Sequence, residues 1–335
     1  MAMATSAAKG RNAQRTPNEQ AESASESAPS HRPPFPAGAP LAWVARAWLN
    51  PDGTAAQPGD AEAVRVLAVS VHAGVPTSVD ARMDLLRSLA KEFQTEVPAG
   101  RHSLWVLPGG FFGFDSARHH WTGLSSVHAE AIAQRLLTDI APKLPPLATL
   151  VVGVDLAIGT AEDQHAWVIQ RNSHGSASII CKVQRGGSEL SARCFSVGTL
   201  RASVFICGEF CGSYTEQNGP YCGEGMTAKY LTDPVRDLAE CGLLIDLAHI
   251  QVRGTVSDAE PSRRLSHQRQ LERFASHGAG LLVHHHYGLT TAKGTPHFAH
   301  QSAWLIFRNG VGRGKTRQWL DALDRSAVKE LYRSV

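Results

Sequence analysis

The chain has 335 residues, 43% of them apolar, and a net charge of +3, which suits one large domain with tails rather than several small ones. Its basic residues are scattered instead of gathered into a stripe, so it carries no electrostatic footprint for nucleic acid. Six cysteines are too few for a disulfide scaffold of this size, the N-terminus lacks a secretory apolar region, and no stretch approaches the roughly 20 apolar residues of a membrane span. The expectation is a soluble cytoplasmic protein with reduced thiols, no membrane contact and no nucleic-acid partner.

In chain order, residues 1–40 are rich in Ala, Ser, Glu, Gln, Pro and Arg and have one aromatic, Phe35. Such a segment cannot offset its ordering entropy by burying apolar surface and is expected to be a disordered tail. Residues 41–61 read as a docked arm or linker, with a first edge strand as the alternative for the apolar run 41–49. The main domain is expected over 62–310. It opens with a buried strand at 64–71, followed by a helix whose Val79, Met83, Leu86, Ala90 and Phe93 recur at spacings of four and three. A second strand, 104–107, stops at Pro108, Gly109 and Gly110. A second helix carries Ala129, Ile132, Ala133, Leu136 and Ile140 and is closed by Pro142.

Three strand-like runs follow at 149–158, 165–170 and 178–183, the last two joined by the turn signal at 172–175. Another strand is expected over 202–207. A helix is expected from Thr232 and Pro234 to Gly242, a strand over 243–248, a helix over 264–277 capped by Gly278, and a strand over 280–286. Residues 311–335 are read as a C-terminal helical tail. Strands alternating with one-faced helices describe a layered α/β domain with each sheet covered by helices on one side.

Rigid strand ends that open outward are where α/β enzymes place reactive groups. Two apolar strands here end abruptly in such residues: Cys181 and Lys182 close one, and Cys207, Gly208 and Glu209 close the other. A thiol attacks only as thiolate, and a neighbouring ammonium both lowers its pKa and can hold an oxyanion. Against this stands the plainer reading of a core cysteine and a solvated lysine. Lysine is scarce, eight against twenty-five arginines, and a compact ammonium differs in kind from the planar guanidinium that carries most of the positive charge.

The ordered set of Leu107 to Gly113, then Cys181-Lys182-Val183, then Ile206-Cys207-Gly208-Glu209, then Arg269 to Arg273 ahead of a strand resembles the nitrilase superfamily of carbon–nitrogen hydrolases. The resemblance implies an α/β fold of the nitrilase-like four-layer αββα sandwich type, usually paired into dimers. It further implies hydrolysis of a non-peptide C–N bond, in a small-molecule amide or nitrile, through a thioester, with a homodimer or higher homo-oligomer as the assembly.

It places Cys207 as nucleophile, Lys182 as oxyanion stabiliser and Glu209 in an orienting role behind the nucleophile. The chain departs from the family pattern at the general base: the position usually held by Glu is occupied by Gly109, which has no side chain to take a proton. A positioned base contributes about 10²–10⁴-fold. Glu189, several residues past Lys182, is the first substitute, and Asp115, just past the Gly-rich turn, the second.

No cofactor and no metal are expected. Cys207, Cys211 and Cys222 with His284, His285 and His286 match no common zinc spacing. Asn309 to Thr316 lacks the first glycine of a phosphate-binding loop and has too little chain after it. Two readings stay open: a cysteine hydrolase with an altered triad, and a non-catalytic relative that keeps the fold as a binding or assembly module.

Overall fold

Stretches in which β-branched and aliphatic residues alternate or run together form two sheets, and two amphipathic helices cover the first of them. The computed structural model describes residues 42–71, 77–115, 120–121, 123–158, 161–207, 240–251, 278–287 and 302–306, together with 209, 214–215, 219–220, 238 and 271. The expected tails at 1–40 and 311–335 lie outside these residues. So do most of the helix expected from Thr232, nearly all of that at 264–277, the segment 309–316, and Cys211 and Cys222.

The first sheet has the order β1-β2-β3-β4-β5-β6, formed by Ala42–Leu49, Val64–Val71, Ser103–Val106, Ala148–Ile158, Ala161–Arg171 and Ala177–Gln184. Strands β2, β3 and β4 run parallel, while β1 pairs antiparallel with β2, and β5 and β6 form the antiparallel hairpin side. The second sheet has the order β11-β10-β9-β8-β7, from Cys194–Val197 (β7), Leu200–Ile206 (β8), Leu243–Gln251 (β9), Ala279–Tyr287 (β10) and Ser302–Ile306 (β11). Its three inner strands are parallel and its two edges antiparallel.

The run 42–49 takes the edge-strand alternative: it pairs with β2 from Ala42↔Val71 to Leu49↔Val64. The domain core therefore begins at 42 rather than 62, because Ala47 and Leu49 enter the layer between the sheets.

Helix α1 (Val79–Phe93) starts where Ser78 accepts a hydrogen bond from the Ala81 N–H at 3.3 Å, with Asp80 in its first turn and Lys91 in its last. Met83, Leu86, Ala90 and Phe93 are buried as the spacing predicts. Helix α2 (Ser126–Arg135) continues through a π turn, Leu136–Ile140, and a 3₁₀ turn, Ala141–Lys143, where Pro142 removes a donor and ends the run.

Two cores result. Trp105, Leu150, Val152 and Trp167 pack with Met83, Phe93, Ile132 and Ile140 on the helix side of the first sheet. Val66, Val106, Val151 and Val168 pack against Val204, Ile206, Ile245 and Leu281 between the sheets. Each such side chain contributes about 1.5–3 kcal/mol by leaving water.

The described layers are thus helices, sheet, sheet. On the outer face of the second sheet, Leu271 packs against Gly280, where an added Cβ would lie 2.9 Å from that of Leu271. Strand β8 lies over β5, which sets what faces the end of β8. Among the described residues no helix is long and apolar enough to cross a membrane.

Candidate active site

Strand β8 ends at Ile206, and the next residue, Cys207, has φ = 50°. This left-handed conformation strains any residue with a Cβ and persists only where the surroundings enforce it. The enforcement is visible. The Cys207 N–H donates to Leu247 O at 2.7 Å, continuing the β8–β9 ladder past its last strand residue. Glu209, 1% exposed, turns back beneath the bend and accepts from the Ile206 N–H at 2.9 Å and from the Gly186 N–H.

Its carboxylate is gripped in two-pronged fashion by Arg193, 0% exposed, with Nη1 to Oε2 at 2.7 Å and Nη2 to Oε1 at 2.8 Å. Arg193 also donates from Nε to Ser188 O and from Nη2 to Gln184 O, and lies over the Phe205 ring. One buried ion pair therefore ties the end of β8 to the loop that leaves β6. Arg193, sixteen residues upstream of Glu209, carried no motif that singled it out.

Lys182 does not share the face of Cys207. Cys181 and Val183 enter the core between the sheets, so the residue between them points the other way. Lys182 Nζ stands 5.6 Å from the centre of the Trp167 ring, its register partner on β5, and Trp167 packs in the helix-side core. Cys207 packs against the inter-sheet core. The expected convergence of Lys182 and Cys207 in one pocket is corrected on this ground. The first residue past β6 on the proper face is Arg185, whose Nη1 donates to Gln164 Oε1 at 2.9 Å. Glu189 is exposed on the same loop.

The Gly-rich turn sits on this side as well. Leu107 N–H donates to Val151 O, and Phe112 bridges to β4 through its N–H to Gly153 O and its O to the Asp155 N–H. Between these anchors the chain bulges over Gly153: an added Cβ there would come 2.6 Å from the Gly109 Cα and 2.5 Å from Pro108 O. Gly109 thus lies on the inter-sheet face of β4. The backbone of Asp115 is in a two-residue strand, Phe114–Asp115, and its side chain lies outside the described ones, as do those of His284, His285 and His286.

Three other thiols differ chemically. Burial pushes Cys181 up to about 11, which keeps it protonated at neutral pH. Cys194 is held down to about 6, chiefly by a hydrogen bond from the Cys241 thiol, and Cys241 is raised in turn by the same contact. Cys194 alternates with Phe195, which enters the inter-sheet core, so its sulfur faces away from that core.

No family model matches the chain, and no curated protein sequence matches it. Among solved structures it is similar to a glutamine-dependent NAD(+) synthetase from Cytophaga hutchinsonii, with a TM-score of 0.43 and 11% identity over 73% of this chain and 39% of that one. It is also similar to a CN-hydrolase superfamily protein from Xanthomonas campestris, with a TM-score of 0.34 and 9% identity over 68% and 77% of the two chains. A third likeness is to an N-terminal amidase, with a TM-score of 0.34 and 10% identity over 70% and 54%. The chain spans well under half of the NAD(+) synthetase's length. With each of these TM-scores below 0.5, the site is read on its own geometry.

Proposed function

We propose that this chain is a hydrolase-type member of the carbon–nitrogen hydrolase superfamily that acts on a non-peptide C–N bond, in an amide or nitrile, through a thioester on Cys207. Its fold would be the nitrilase-like αββα sandwich, completed by helices over the outer face of the second sheet and paired into a cytoplasmic homodimer. The observation that carries the reading is the strained bend at Cys207. A cysteine with φ = 50° at a strand end, braced from below by a carboxylate that itself needs a fully buried arginine, is costly to maintain for packing alone. It is an economical way to hold one Sγ in a fixed place at a strand end.

The second reading, a non-catalytic module, is favoured by Gly109 at the usual position of the base and by Lys182 on the far face of β6. The two separate by experiment. After incubation with p-nitrophenyl acetate, and with a panel of small amides and nitriles, intact-mass measurement and peptide mapping should find an acyl group on Cys207. The adduct should persist in Cys194→Ser and vanish in Cys207→Ala. No adduct in the wild type, or one that maps to Cys194, would sink the hydrolase reading.

A further inference from the structure

A thioester route needs a group to take the thiol proton and a cation to hold the oxyanion, and neither Gly109 nor Lys182 can serve. We infer that a row across the first sheet, Asp155, Gln164 and Arg185, supplies both: Asp155 as general base and Arg185 as oxyanion cation, with Gln164 holding the guanidinium. The inference rests on the reading of Cys207 as nucleophile.

The row follows from register. Asp155 on β4 lies directly opposite Gln164 on β5. Arg185 comes next across β6, its N–H donating to Gln164 O at 2.9 Å and its Nη1 to Gln164 Oε1 at 2.9 Å. All three share the inter-sheet face, since Val151 on β4, Ala166 and Val168 on β5, and Cys181 and Val183 on β6 enter that core with the same parity.

They stand at the end of the sheet where β8 delivers Cys207. Strand β8 packs against β5 and β6, which carry Gln164 and lead into Arg185, and Asp155 stands one strand further on, about 4.8 Å beyond Gln164 on β4. The Glu209 carboxylate bonds the N–H of Gly186, the residue after Arg185, which pins the cationic end of the row to the Cys207 bend.

Asp155 is also next to where the missing carboxylate would start. Gly109 rests on Gly153, and Asp155 is the following residue on that face of β4. The turn closes on it directly: Phe112 O accepts from its N–H at 2.8 Å, and a Cβ on Gly113 would lie 2.0 Å from its carbonyl oxygen. It is 2% exposed in a strand otherwise made of apolar residues and glycine from Leu150 to Ile158.

The proton balance closes. Asp155 takes the Cys207 proton as sulfur bonds the amide carbon, and Arg185 holds the oxyanion. The C–N bond breaks and the amine leaves with the proton from Asp155. Water then attacks the thioester, its proton passing to Asp155, and the departing Cys207 sulfur takes that proton back. The net change is amide plus water to acid plus amine.

The test uses p-nitrophenyl acetate with the full-length protein, following nitrophenolate release for acylation and loss of the acetyl mass on Cys207 for deacylation. Asp155→Asn and Arg185→Gln should each slow acylation by about a hundredfold or more. Asp155→Ala with added formate should recover at least about tenfold of the deacylation rate, a gain that lost packing alone would not return. A wild type that acetylates Cys207, with a folded Asp155→Asn or Arg185→Gln that does so within about threefold of it, would overturn the row while leaving the nucleophile in place. Arg185 begins an exposed loop, so Arg185→Gln decides the matter should the Asp155 variants fail to fold. A wild type that never acetylates Cys207 removes the nucleophile reading and the row with it.

Discussion

The two ends of the layer between the sheets are built on different principles. At the end where the parallel strands of the second sheet begin, closure is made by backbone. Gly53, at φ = 81°, lies so close to the loops before β9 and β10 that an added Cβ would stand 2.2 Å from Gly242 O and 2.4 Å from Ala279 N. Gly242 N–H donates to Arg201 O and Gly242 O accepts from the Ala279 N–H.

At the opposite end the same layer holds Asp155 and Gln164, and the Arg193–Glu209 pair closes the end of β8 beside it, each of the four at most 3% exposed, with Arg185 at the rim and a strained cysteine at the bend. One end spends its geometry on close approach and hydrogen bonds between peptides. The other accepts buried charge and a disfavoured dihedral, costs that concentrate where a fold does chemistry.

The sharpest way to break this contrast is at the charged end. Glu209→Ala leaves Arg193 buried without its carboxylate and should cost about 3–5 kcal/mol, read as a lower urea midpoint with an unchanged slope. Replacing both partners with apolar residues should recover much of that loss, yet acylation of Cys207 should stay low, because the Ile206 and Gly186 N–H groups lose the acceptor that shapes the bend.

A smaller effect is expected at the backbone end. Gly242→Ala places a Cβ about 2.0 Å from Pro51 O and should cost about 1–3 kcal/mol with acylation unaffected per folded molecule. A selective loss of acylation in this variant would show that the two ends are not independent. The smallest effect belongs to Lys182→Gln, which removes an exposed cation from beside the buried Trp167 ring and should cost about 0.5–1 kcal/mol while acylation stays within about threefold of wild type. A hundredfold loss there would return Lys182 to the site and undo the assignment of Arg185.

Much of the scaffold was legible in the sequence because periodicity reports burial. The run 64–71 forms a strand with those bounds, and the stripe from Val79 to Phe93 forms one helix. Cys207 could be picked out because an apolar strand stops at a reactive residue. Lys182 misled because a motif gives order and not phase. The alternation Cys181, Lys182, Val183, with two apolar residues inward, already turns the lysine away from their core and brings Arg185, three residues on, to the inward face.

Arg185 carries no pattern of its own in the sequence, because Gly186 and Gly187 interrupt the alternation that follows β6. Asp155 did leave a signal, a lone carboxylate in the run Leu150 to Ile158. The Arg193 to Glu209 pair left none, since a contact across sixteen residues and two strands is a product of sheet packing.

That pair also bears on the order in which the molecule assembles. It closes a loop of sixteen residues, and the Gly186 contact one of twenty-three, so the entropy lost in bringing the partners together is small and grows only logarithmically with length. The β5–β6 hairpin, β7, β8 and the bend at Cys207 are all synthesised before β9 and β10. The bend can therefore be gripped while those strands are still absent, and the later strands dock onto a bend already shaped, with Leu247 O arriving to accept the waiting Cys207 N–H.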